Sequence, residues 1–120
     1  MRKTYDKQNI FAKILRAEIP CEKILENDYA LAFKDINPLA PIHILVIPKN
    51  PYVDSYDFNE NAKSNEIRYF WKLTNDVINQ KNILEKGFRI ITNSGIDGNQ
   101  EVPHFHVHII GGKNLGRIIN

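Results

Sequence analysis

The chain is poor in everything that would staple it, thread it through a membrane or bind it to nucleic acid. Its 120 residues contain one cysteine, Cys21, so no internal disulfide can form. No Cys/His zinc pattern includes that thiol, which follows Pro20 in an expected loop and reads as incidental. No apolar run approaches the ~20 residues a membrane helix needs. Residues 1–8 hold no apolar stretch of the kind a secretory signal requires. No sign of charge dominates: 16 Lys and Arg face 14 Asp and Glu, interleaved along the chain, for a net charge of +2. That excludes a basic arm for DNA or RNA. Repeats, low-complexity linkers and domain boundaries are also missing. These absences favour a reducing cytoplasm and predict a mobile leader over residues 1–8 followed by one domain over 9–120.

What is present is an ordinary globular composition, 42% hydrophobic and 25% charged, enough for a small core. Apolar residues at helical spacing predict a short helix over 10–17, closed by Pro20. Strands are expected at 22–25 and, after a turn at Glu26-Asn27-Asp28, where Tyr29, Leu31 and Phe33 alternate with their neighbours. Residues 42–48 are apolar almost throughout and predict a central strand covered on both faces. Residues 54–65 read as polar and irregular. Ile67, Phe70, Trp71, Thr74, Val77 and Ile78 fall at steps of three and four and predict the longest helix, with Trp71 in the core. A further strand is expected over 88–92. The expected class is α+β, an antiparallel sheet with a helix on one face.

The most informative run is 102–110, where His104, His106 and His108 alternate with Phe105, Val107 and Ile109. Period two is the signature of a strand, which sends the imidazoles to one face and the apolar residues to the other. Three of the chain's four histidines therefore share one small patch. Packing alone explains that poorly, because each buried imidazole needs hydrogen-bond partners. Metal-free chemistry and a zinc site both fit the spacing, since His-x-His on a strand is a good bidentate platform. His43, the fourth, lies alone in the apolar strand and joins a shared site more readily than it would stand as an isolated core residue. The loop 93–101 is rich in glycine and amide side chains and is a candidate phosphate cradle beside that patch. It is not a P-loop, since no Lys-Ser/Thr closes it. Asp35 ends a strand, where a carboxylate can hold ribose hydroxyls.

His104-Phe105-His106-Val107-His108-Ile109-Ile110 resembles the histidine triad (HIT) motif. Four further blocks extend the resemblance to the Hint branch, the histidine triad nucleotide-binding proteins: residues 10–14, 32–38, 40–49 and Gly111-Gly112. The resemblance implies a HIT-like, five-stranded antiparallel sheet with one long and one short helix, two sheets being joined across a homodimer. It implies a purine nucleoside phosphoramidate hydrolase that works through a nucleotidyl-histidine intermediate, with no metal and no cofactor. His106 matches the nucleophile. His104 and His108 match the flanking members that orient it and contact phosphate and leaving group, and His43 matches the accessory histidine. Asp35 matches the ribose ligand, and Asn93 a residue at the ribose–phosphate junction. Gln100 and Glu101 match the phosphate loop, with the backbone N–H of 101 as donor. Ile10, Phe11, Phe33 and Ile36 match the apolar slot around a purine base. Two other activities are compatible: a dinucleoside polyphosphate hydrolase, as in a sister branch, or a nucleotide-binding protein with little turnover. A metal-dependent hydrolase or metal carrier is a further class. The chain departs from some relatives in having Glu101 in place of Ser and no tryptophan over 113–120. It has Asn9 and Ala12 where a subset carries a zinc-binding Cys pair.

Overall fold

The structure is a computed structural model that describes residues 4–119. In chain order it comprises α1 (Ile10–Leu15), β1 (Lys23–Glu26), β2 (Ala30–Lys34), β3 (Ile42–Pro48), α2 (Ser55–Asn61), α3 (Ser64–Gln80), β4 (Phe88–Ile91) and β5 (Val107–Gly111). The strands form one antiparallel sheet in the order β1-β2-β3-β5-β4. Among the described residues no helix is long and apolar enough to cross a membrane.

Side-chain parity explains why β2 and β3 are apolar on both faces. Ala30, Ala32, Ile44 and Val46 point toward α3 and join a core with Phe58, Phe70, Leu73, Val77, Phe105, Val107 and Ile109. Leu31, Phe33, Leu45 and Ile47 point the other way and pack with Phe11 of α1 in a second cluster. His43 and His108 share the parity of this second face, where Leu45 pairs with His108 and His43 with Ile110. The chemistry of the chain therefore lies on the α1 side of the sheet, and α3 supports it from behind. Phe105 is the link. It stacks on Phe58 at 4.8 Å between centroids and lies 5.0 Å from Phe70, directly behind the histidines on either side of it in sequence. Burying such a ring is worth about 2–3 kcal/mol before specific ring contacts are counted.

Four expectations are corrected. Residues 54–65 are not irregular: α2 lies there, capped by the Asp54 side chain accepting from Asp57 N at 3.0 Å, so the described residues hold three helices rather than two. α2 is polar because it buries only Phe58. The long helix starts earlier than the apolar stripe suggests, at Ser64, where the Glu66 carboxylate accepts from Lys63 N. Trp71 is not core. One residue on from Phe70 it is turned about 100° away and is 38% exposed, and Leu73 fills the stripe instead. Lastly, the histidine strand is shorter than 102–110. Pro103 has no N–H for a ladder, His104 N turns back onto Val102 O, and pairing with β3 begins only at Val107. Alternation of faces persists through 104–106 all the same, because Phe105 N is held by Tyr52 O at 2.7 Å.

Candidate active site

His106 lies at the centre of the site. Its Nδ1–H donates to the backbone carbonyl of His104 at 2.8 Å, and a carbonyl can only accept. The proton of the neutral ring is thereby assigned to Nδ1, and Nε2 keeps its lone pair. Phe11 presents itself edge-on at 4.9 Å between centroids and fixes the plane of the ring. Burial pushes the pKa of His106 below its ordinary 6.5. The bond to the His104 carbonyl and the charges of Asp35 and Glu101 pull the other way.

His104 differs from its neighbours. It is 0% exposed, and both ring nitrogens are committed to the protein. Nε2–H donates to Pro48 O at 2.9 Å, which continues by side chain the ladder that β3 and β5 leave off. Nδ1 pairs with the Tyr5 hydroxyl at 2.6 Å. Burial lowers the His104 pKa to about 4. Its backbone carbonyl, rather than its ring, faces the chemistry.

His108 and His43 make the other end of the patch. Leu39 N donates to His43 Nδ1 at 3.1 Å, so the His43 proton is on Nε2. That N–H meets His108 Nδ1 at 2.9 Å and the Asp35 carboxylate at 3.3 Å. His108 Nδ1 must then accept, and the proton of its neutral ring is on Nε2. Burial, reinforced by His106 and His43, lowers the His108 pKa to about 4, and burial also lowers that of His43 against the pull of Asp35. In all four rings burial works against the charged form. One nitrogen each from His43 and His108 and one Asp35 oxygen lie within 4.8 Å of one another, a donor set that suits a small divalent cation.

The loop 93–101 is tethered rather than loose. Ser94 Oγ donates to the buried Asp54 carboxylate at the start of α2. Gln100 Nε2 donates to Val53 O and Val102 O at 2.7 and 3.1 Å, and its Oε1 accepts from Gly95 N. The Gln100 side chain is thus spent on holding the loop. Gly98 allows the close approach, since a Cβ there would collide with the backbone of Ser94.

Of the expected nucleotide contacts, Phe11 and Phe33 meet edge to face at 5.6 Å beside His106. Ile10 is half exposed, while Ile36 is 89% exposed and outside their cluster. Asp35 is at the histidines, Asn93 is half-buried at the start of the loop, and Glu101 is exposed at its end. A cleft of about 660 Å³ between α1 and the β1–β2 edge contains none of the histidines. Sequence reasoning missed three supports of the site: Tyr5, Asp54 and Ser94. For Asp54 a signal was present, Asp-x-x-Asp ahead of a helix. For Tyr5, which reaches across 99 positions, there was none.

The HIT domain family matches residues 16–115. This chain belongs to the HIT family. It is 53% identical over 119 residues to an uncharacterized 13.2 kDa HIT-like protein of Azospirillum brasilense, covering 99% of this chain and 98% of that one. It is 36% identical over 112 residues to the purine nucleoside phosphoramidase of Escherichia coli K12, covering 93% of each. Among solved structures, a HIT family hydrolase from Clostridium thermocellum superposes with a TM-score of 0.86 at 37% identity, covering 95% of this chain and 98% of that one.

Proposed function

We propose that this HIT protein is a hydrolase of purine nucleoside phosphoramidates, releasing a nucleoside monophosphate and an amine without a metal or cofactor. The observation that carries the reading is the tautomer of His106: with Nδ1–H tied to the His104 carbonyl, Nε2 is an unprotonated nitrogen ready to attack phosphorus. Attack forms an N–P bond from His106 Nε2 and breaks the P–N bond to the leaving amine. The imidazolium that develops on His106 is stabilised by its Nδ1–H bond to the carbonyl. The anionic phosphate raises the proton affinity of His108, which takes up a proton from solvent as substrate binds and passes it to the leaving amine. Water then attacks phosphorus, the N–P bond breaks, and the proton returns to His108. His43, held by Leu39 N and Asp35, keeps the His108 ring oriented.

In this reading the base lies against Phe11 and Phe33, flanked by Ile10 and Ile36. Asp35 and Asn93 take the ribose and its phosphate junction. Gln100, whose N–H is bonded to Gly95 O, shapes the loop, and the backbone N–H of Glu101 is offered to the phosphate. Homodimerisation is part of the proposal and is supported by β4, a sheet edge with Phe88 and Ile90 each 38% exposed. A cytoplasmic location accords with a lone cysteine. The test is hydrolysis of adenosine 5′-phosphoramidate by wild-type and His106→Ala protein in excess chelator. Turnover that survives chelation and disappears in the variant is expected. No turnover by the wild type, or turnover that the chelator abolishes, overturns the proposal.

A further inference from the structure

The N-terminal segment ahead of α1 carries one side chain into the site, although nothing about residue 5 in sequence announces it. The segment is anchored locally. Asn9 N and Nδ2 both donate to Asp6 O, at 3.2 and 2.7 Å, Gln8 N donates to Asp6 Oδ1, and Arg16 Nη1 reaches back to Lys7 O. Asn9 is itself buried and caps α1. The turn therefore aims Tyr5 at His104, which it meets edge-on at 5.6 Å between centroids and 2.6 Å between hydroxyl and Nδ1.

The direction of that bond follows from the other end of the ring. Had Tyr5 accepted from Nδ1–H of a neutral ring, Nε2 would carry a lone pair and confront the lone pairs of the Pro48 carbonyl at 2.9 Å. Tyr5 must donate. We propose that Tyr5 is a positioning residue: by donating to His104 Nδ1 it holds that ring in the Nε2–H form, clamped to Pro48, and so fixes the His104 carbonyl on which His106 is oriented. This rests on the reading of His106 as nucleophile. Removing the hydroxyl leaves a buried lone pair without a donor. The ring can recover only by turning over, which moves residue 104, or by taking up a proton, which sets a positive charge beside His106 as His106 itself becomes cationic.

The experiment uses Tyr5→Phe, which keeps the aromatic ring, in 15N-histidine-labelled full-length protein. Nitrogen shifts of His104 are read by NMR, and kcat and KM are read with adenosine 5′-phosphoramidate across pH. Expected are a wild-type His104 protonated on Nε2 alone and a Tyr5→Phe protein in which that pattern is lost. With it, kcat falls about tenfold at unchanged KM, and the acid limb of the kcat profile moves to higher pH. An unchanged His104 spectrum overturns the proposal. So does an altered spectrum with full kcat, or a fall in melting temperature or a rise in KM alone. A wild type without turnover refutes the hydrolase reading instead, and the spectra then decide the role of Tyr5 by themselves.

Discussion

The two faces of residues 104–109 obey opposite rules. On one, Phe105, Val107 and Ile109 are packed dry against Phe58 and Phe70, where only volume and shape matter. On the other, His104 and His106 are buried and His108 half-buried, with every inward nitrogen matched to a donor or acceptor, and no buried side-chain polar atom lacks a partner among the described residues. The first face supplies rigidity. The second converts rigidity into defined tautomers, which imidazole chemistry needs. The flanking histidines sharpen the contrast, because His104 is fully enclosed and serves through its carbonyl, while His108 keeps one nitrogen for the reaction.

The largest separation of the two faces comes from His106→Ala. Turnover should fall by about 10⁴-fold or more, as for removal of other covalent nucleophiles, with little loss of stability. Phe105→Ala should do the reverse at the level of folding. Denaturant titration should show a loss of about 3–5 kcal/mol, the cost of deleting a buried phenyl ring, and a folded fraction that still turns over. A smaller effect is expected of His43→Ala, which leaves the nucleophile intact but frees His108. Turnover should fall about 10²-fold, most for amine leaving groups with the greatest need of a proton. Equal losses for all leaving groups would contradict the proton-delivery role.

Acidification should separate the faces too. His104 and His108 have pKa values lowered from 6.5 to about 4, so between these values the unfolded chain binds protons that the folded chain refuses. Their contribution to stability is complete above pH 6.5 and is lost as pH falls toward about 4. The melting temperature should drop through that window, and one that rises on acidification would refute the neutral rings. The smallest effect is reversible inhibition by added zinc at the Asp35, His43 and His108 donors, relieved by chelator and absent from binding measurements on His43→Gln.

Much of this architecture was legible because it is periodic. Alternation in 102–110, the run of 42–48 that is apolar but for His43 and the helical stripe around Phe70 each report a face, and a face is a local property. What escaped was not periodic. α2 has one buried residue and therefore no stripe, and Trp71 looked like core because it lies four residues after Ile67 and three before Thr74, at the edge of the stripe. The resemblance set His106 apart but gave His104 and His108 one shared role, and the difference between those two depends on Pro48, Tyr5 and His43, which are far away in sequence. Gln100 was legible as part of a phosphate loop, but its role as the tether of that loop appears only once Val53 is beside it.

The central claim is that His106 Nε2 attacks phosphorus. Its most direct test is the mass of the protein quenched in alkali during turnover of adenosine 5′-phosphoramidate, with peptide mapping of any adduct. The account predicts a transient nucleotidyl group on His106 of the wild type and none in His106→Ala. Turnover with no adduct, or an adduct on another residue, would contradict it.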